Sequence, residues 1–216
     1  MTNATLQYLP FGSGNNAYQT FYDQEFDLKR DILSEGIITA DLGIANDEYF
    51  TGMLGLGIDA NIGNNLARFR SLKLSGAAKY HFSIFYTLMR DRMPVDVRMQ
   101  FDQKSVEQAS SMISITNGPT IGAKTPINPA SNAFDGKLNA VVSEDLSLLK
   151  LLSLFTKIDN GKHLDDPKVA TYEFEKLLIR SDEELLYQLD GEIRTAKTID
   201  IAVCPRILTL KGKHKK

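Results

Sequence analysis

Apolar and polar positions change rhythm several times along this chain. After the turn LPFGSGNN at residues 9–16, the spacing predicts a helix capped by Asn15 and running to about Leu33, where SEGI ends it. From Gly36 the text becomes IITADLGIANDEYFTGMLGLGIDANIG, short apolar and β-branched runs broken by Asn-Asp and glycine, which predicts a β-hairpin. Residues 73–92 then set Leu74, Ala77, Ala78, Phe82, Phe85, Leu88 and Met89 at the spacing of one helix face, and Pro94 stops the run. Beyond it VDVRMQFD, SSMISITNG, KLNAVVSE, VATYEFEKLLIRS, ELLYQLDGE, TIDIAVCP and RILTLKG predict strands, interrupted by one apolar helix near Leu146 to Phe155. The expected fold is therefore mainly β with helices, of α+β class: an antiparallel β-sandwich of at least seven strands.

Composition narrows the function classes. With 216 residues, 43% hydrophobic and 24% charged, the chain can bury a core as one large domain or a domain plus a fragment. A formal charge of -2 does not favour nucleic acid as a partner, and the terminal KGKHKK reads as a solvated end. The single cysteine, Cys204, excludes an intrachain disulfide and a paired-cysteine zinc site, so a reducing compartment is expected. No secretory apolar region opens the chain and no apolar run reaches spanning length. The expected location is cytoplasmic, peripheral at the membrane.

Three clusters could carry chemistry. In the opening loop, Gly12 and Gly14 allow close backbone approach to an anion while Ser13 and Asn15 offer short polar groups; the same residues also suit a plain helix start. In NPASNAFDGKLNAVV, residues 128–142, Asp135-Gly136 makes a tight turn whose carboxylate and free carbonyls suit a hard cation, or a simple hairpin. In LLYQLDGEIR, residues 185–194, a strand continuing through Gly191 would put Asp190 and Glu192 on one face, where paired carboxylates raise one another's pKa and suit a general base; a solvated hairpin is the alternative. His81, His163 and His214 lack a second histidine at ligand spacing and read as structural or solvated, and Cys204 as a packing residue. The apolar run LSLLKLLSLF, residues 146–155, is either core or the wall of a greasy cleft.

Taken in order, the segments resemble one family, the diacylglycerol kinase catalytic domain superfamily of bacterial lipid kinases and sphingosine kinases. LPFGSGNN is similar to its LPxGTxND segment, GLGIDA at 55–60 to its GxGxDA strand, and ITNG at 115–118 to its (V/A)NG turn. PASNAFDGKLNAVV resembles PxAxxxDGxLDV, and QLDGE followed by IDIAVCPRILTL resembles the DGE strand and closing hairpin. The likeness runs from about Leu9 to Leu210, and five dispersed motifs in one order are far more specific than any one alone.

The resemblance implies transfer of the γ-phosphoryl of ATP to a lipid hydroxyl with Mg²⁺, on diacylglycerol or a similar lipid substrate, and transient contact with a membrane surface. It implies nucleotide contacts at Gly12, Ser13, Gly14, Asn15 and Asn16. It also implies a metal site at Asp135 completed by the carbonyls of Asn132 and Lys137, and a proton acceptor at Glu192 supported by Asp190. The family's nucleotide-binding half carries a Gly-Gly-Asp-Gly-Thr motif that does not occur here, so residues 1–33 are expected to be a protruding remnant of that half and residues 34–216 the β-sandwich lipid domain. One position departs from the pattern: Asn16 stands where the family has an acid, which favours a lipid- or nucleotide-binding protein without turnover as the alternative function. Oligomeric state is not legible, a homodimer being one alternative.

Overall fold

Two long strands organise the protein. The computed structural model describes residues 4–11, 15–22, 27, 29, 33, 36–121 and 125–212. In it, the two-residue turn Asp190-Gly191 joins β9 (Lys176–Leu189) and β10 (Glu192–Lys211). Both turn residues have positive φ, 48° and 92°, the geometry whose twist matches paired antiparallel strands. The opposite edge of β9 is shared: its first part pairs with β4 (Val95–Phe101) and its last part with β3 (Met53–Gly57). The sheet forks there and folds over itself.

The order across the sheet is β2-β1-β10-β9-β3-β6-β7-β8, with β4 on β9 and β5 on β4, and every strand pairing is antiparallel. The other strands are β1 (Ile37–Ala45), β2 (Glu48–Phe50), β5 (Ser105–Ser110), β6 (Met112–Thr116), β7 (Leu138–Ser143) and β8 (Val169–Phe174). Alternate residues of β4, Val97, Met99 and Phe101, share one buried core with Ile113 and Ile115 of β6 and Leu138, Ala140 and Val142 of β7. The expected sandwich is what these layers make. On the outer face, Ile58 and Ile62 of α2 (Ile58–Arg68), Leu88 of α3 (Gly76–Arg90) and Leu151 and Leu154 of α4 (Leu148–Phe155) form a second core with Val141.

Four expectations change. The segment 169–181 is two strands, because Asp102 in the β4–β5 turn accepts the amides of Glu175 and Lys176 at 2.8 and 3.0 Å and breaks the run. TIDIAVCP and RILTLKG are one strand, β10; Pro205 lacks an N–H, and the chain bulges there while the Arg206 amide donates to Asp41 Oδ1 at 2.8 Å. Residues 58–63, read as part of a hairpin, instead begin the helix α2. Finally, the helix from Asn15 does not run unbroken to Leu33: α1 (Asn16–Phe21) ends at Tyr22, whose backbone is extended.

Nor does the opening segment protrude as a whole: Phe11 and Leu33 are exposed, but α1 packs on the β domain. Tyr18, Phe21 and Tyr22 are buried with Ile38, Ala40, Leu208 and Leu210, and Leu6 pairs with Leu210. The Tyr22 hydroxyl donates to the Lys211 carbonyl at 2.8 Å. The apolar face expected to have lost its sheet is covered by β1 and the end of β10.

Candidate functional site

A cleft of about 390 Å³ opens between α2, Tyr80 of α3, the start of β3 and the β9–β10 turn. Two glycines build it. At Gly57, φ is +66° and a Cβ would stand 2.4 Å from the Ser111 carbonyl oxygen, so only glycine turns β3 into α2 here. At Gly55 a Cβ would meet Asp59 Cβ at 2.7 Å and Gln188 Nε2 at 3.2 Å, so its absence leaves room for both side chains at the cleft floor. Ile62 and Leu66, one and two turns on, supply apolar wall, and Tyr80 of α3 faces them. A larger depression of about 510 Å³ along β4, β5 and β9 is lined by surface groups such as Arg98 and Asp182 and contains none of the candidate site residues.

Asp59 is the unusual group. It lies in the first turn of α2, half-buried, and accepts a hydrogen bond from the Ser114 hydroxyl of β6. Burial pushes its carboxyl up to about 6, with the Ser114 bond acting against the shift. The Tyr80 phenol is pushed up by burial and then by the Asp59 charge. A carboxyl that is harder to ionise folded than unfolded favours the folded state most below its unfolded value near 3.8, and that contribution is lost as pH rises through about 6. Unfolding free energies from urea titrations between these pH values should fall by about 2–3 kcal/mol more for the wild type than for Asp59→Asn. Parallel pH profiles for the two proteins would contradict this.

Asp190 and Glu192 do not continue one strand face, because the turn intervenes. The Asp190 carboxylate folds back over the β2–β3 connection. Oδ2 accepts from the Thr51 amide at 2.7 Å and the Thr51 hydroxyl at 2.9 Å, and Oδ1 accepts from the amides of Gly52 and Met53, both at 2.9 Å. Four donors occupy its lone pairs, so the geometry gives it a positioning role. The Tyr8 phenol, pushed up by burial, is lowered by a hydrogen bond with Thr51 and raised by the Asp190 charge, so the opening segment reaches this rim. Glu192 stands outward, 73% exposed, with Oε2 accepting from Arg194 Nη2 at 3.0 Å. Arg194 is held in turn by Glu48, through Nε at 3.0 Å and Nη2 at 2.9 Å.

The other expected positions lie elsewhere. Asp135 sits in the turn before β7, its Oδ1 accepting from the Lys137 amide at 3.0 Å, while Lys137 Nζ pairs with Glu173. The neighbouring Gly136 amide donates to Asp41 Oδ2 at 2.7 Å. Burial raises the Asp135 carboxyl, the Lys137 amide lowers it, and the charges of Glu173 and Asp41 raise it further. That negative field and the oxygen chemistry of the turn fit a hard cation. Among the described residues no three His, Cys, Asp or Glu side chains gather as a metal site, so a cation here would depend on carbonyls such as those of Asn132 and Lys137. These three residues do not line the cleft.

Gly12, Ser13 and Gly14 lie outside the described residues. Asn15 is the residue before α1, in left-handed conformation with φ 48° and with no side-chain capping bond, and Asn16 begins the helix. His163 is buried, its Nε2 2.9 Å from the Ile127 carbonyl, and burial holds its pKa down, as befits a structural histidine. Cys204 is half-buried in β10, its thiol pushed up by burial. Sequence reasoning gave no role to Asp59, Gln188 or Tyr80, although Asp59 is the aspartate of the GLGIDA segment likened to GxGxDA. For Asp59 the available signal was a lone carboxylate directly after the apolar, glycine-spaced run GLGI.

The profile of the YegS C-terminal NAD kinase beta sandwich-like domain matches residues 52–212. A protein named "Putative lipid kinase SAB0675c" from Staphylococcus aureus (strain bovine RF122 / ET3-1) is 27% identical over 184 residues, covering 82% of this chain and 59% of its own length. A counterpart from Staphylococcus aureus (strain JH9) gives the same identity and coverage. The chain thus spans about 59% of the length of these curated relatives. Among solved structures, "a putative diacylglycerol kinase from Bacillus anthracis str. Sterne" superposes with TM-score 0.73 at 20% identity, over 97% of this chain and 70% of that one. A second Bacillus anthracis diacylglycerol kinase structure gives 0.66 at 16% identity, over 97% and 67%. At these identities the superpositions speak for the fold.

Proposed function

Because the chain belongs to the family of the YegS C-terminal NAD kinase beta sandwich-like domain, whose relatives carry lipid kinase names, we propose that it is the lipid-binding β part of a lipid kinase. The whole protein would transfer the γ-phosphoryl of ATP to the hydroxyl of diacylglycerol or a similar long-chain lipid. What supports this reading is the cleft: apolar wall at Ile62 and Leu66, with Asp59, Gln188 and Asp190 converging at one end. An acyl chain fits the wall and a polar head the carboxyl end.

Phosphoryl transfer asks mainly for positioning and charge neutralisation. Asp190 fixes the turn against Thr51, Gly52 and Met53 and so steadies the start of β10, where Glu192 follows the cleft-lining Gly191. Glu192 accepts the proton of the lipid hydroxyl as the new P–O bond forms and the bond from the γ-phosphorus to the β–γ bridging oxygen breaks, releasing ADP. A Mg²⁺ ion, when bound, supplies positive charge; Asp135 with the Asn132 and Lys137 carbonyls would hold one in the turn before β7, steadying structure. A second reading, lipid binding without turnover, is favoured by Asn16, a neutral amide where the family pattern has an acid.

The test is transfer of label from ATP to diacylglycerol in mixed micelles by the whole polypeptide that carries this chain. We expect labelled phospholipid that depends on Mg²⁺. Lipid binding with no labelled product at saturating ATP and Mg²⁺ would reject the kinase in favour of the second reading.

A further inference from the structure

The first stretch of β10 lies past the end of its neighbour. Strand β1 stops at Ala45, opposite Ile201, so among the described residues positions 192–200 of β10 have no strand on that side. Glu192 and Arg194 stand there on one face of the strand. Arg194 spans the gap sideways. Its Nε donates to Glu48 Oε1 at 3.0 Å and its Nη2 to Glu48 Oε2 at 2.9 Å, a two-pronged hold on the first residue of β2. Nη2 also donates to Glu192 Oε2 at 3.0 Å, and Nη1 to the Ile193 carbonyl at 3.0 Å. All but one of the guanidinium N–H groups are thereby engaged.

An isolated surface ion pair holds little, because two long side chains give up their freedom for a single contact. Here the guanidinium is already fixed from the far side. The Glu48 carboxyl is held below its ordinary value chiefly by its bond to Arg194, and the two glutamates raise the Arg194 pKa in turn, Glu48 first. Glu192 therefore meets a cation that is in place before it arrives. A glutamate side chain free in water explores many rotamers, whereas a proton acceptor must keep one oxygen within hydrogen-bond reach of the hydroxyl. Arg194 takes Oε2 and leaves Oε1 for the proton. The Asp190 clamp does not do this, since its bonds go to Thr51, Gly52 and Met53 and fix the turn's backbone alone.

We propose that Arg194, anchored by Glu48, is the positioning residue that holds the Glu192 carboxylate in the orientation from which it takes the proton of the lipid hydroxyl. The proton passes to Glu192 Oε1 while Oε2 stays bonded to Arg194, so the acceptor does not swing away as it loses its charge. Glu48 acts one step further out, by keeping the guanidinium still. The inference rests on the lipid-kinase reading for the reaction that Glu192 serves; the bracket of Glu48, Arg194 and Glu192 stands on its own geometry.

The experiment is a mutant cycle in the whole polypeptide that carries this chain, read as label transfer from ATP to diacylglycerol in mixed micelles. Arg194→Gln should lower kcat roughly ten- to a hundredfold with the lipid KM unchanged. Arg194→Lys, which keeps the charge but cannot grip two carboxylates at once, should recover only part of that loss, and Glu48→Gln should lose in the same direction. In a Glu192→Gln background, Arg194→Gln should cost nothing further. Lys197→Gln removes a cation of the same strand that bonds the Asp182 carbonyl instead, and should transfer as the wild type does. Equal melting temperatures show that the variants remain folded. A second readout needs no turnover: by NMR the Arg194 Nε–H should exchange with water about tenfold more slowly in the wild type than in Glu48→Gln. Wild-type kcat in Arg194→Gln overturns the proposal, as does an equal loss in the Glu192→Gln background. A raised lipid KM at unchanged kcat also overturns it, by assigning Arg194 to substrate binding. Failure of the lipid-kinase reading looks different: normal turnover in Glu192→Gln, or none in the wild type, with Nε–H exchange still slow, removes the reaction and with it the positioning role. Fast exchange in the wild type removes the bracket itself.

Discussion

Replacing Asp190 by Asn is expected to lower the stability of the β domain by about 3–5 kcal/mol. The carboxylate accepts four hydrogen bonds, three of them from the successive amides of Thr51, Gly52 and Met53. An amide in its place turns one oxygen into a donor that faces donors, leaving N–H groups unpaired at a partly buried site. Asn is the informative substitution because residue 190 has φ 48°, a left-handed conformation that Asn tolerates and Ala does not. Asp190→Gly, free of backbone strain, should lose a similar amount, since it removes both acceptor oxygens without placing a donor against the amides. Urea unfolding of the three proteins measures the differences. A wild-type midpoint for Asp190→Gly would show that the clamp contributes little and leave the turn held by its strand pairing alone.

The same residue shows why part of the site was legible and part was not. Strand β4 is visible in the text because its burial alternates with period two, β6 and β7 because they are short continuous apolar runs buried on both faces, and α3 and α4 because their apolar residues recur at helical spacing. The role of Asp190 is not local: its partners lie 137–139 residues away, and the turn at Asp190-Gly191 breaks the alternation on which a shared face with Glu192 depended. Helix α2 was hidden because Gly57, Gly63 and Asn64 read as turn residues, although Ile58, Ile62 and Leu66 repeat every four positions. Strand β5, SVEQAS, has too few apolar residues to announce itself; it exists because β4 offers it a ladder. For Asp59, the group that matters is Ser114, which arrives from β6 through the pairing of β3 with β6.

On the proposed lipid-kinase reading, Glu192→Gln is expected to lower turnover by roughly 10² to 10⁴, the usual contribution of a general base, while leaving lipid binding and stability nearly unchanged. The structural position separates the two effects. Glu192 is 73% exposed and its ion pair with Arg194 is a surface pair, so losing the charge should alter stability by less than about 1 kcal/mol. Arg194 stays anchored by Glu48 in the variant, through bonds of 2.9 and 3.0 Å, and the turn stays anchored by Asp190. A large fall in rate would therefore come from the lost proton acceptor and not from a displaced loop. Single-turnover phosphorylation of diacylglycerol in micelles by the wild type, Glu192→Gln and Asp59→Asn makes the comparison. Asp59 is the competing candidate, because its carboxyl, pushed up to about 6, lines the cleft while Glu192 stands outward just beyond the lining residue Gly191. Near-normal turnover in Glu192→Gln with a collapse in Asp59→Asn would move the proton acceptor from Glu192 to the floor of the cleft.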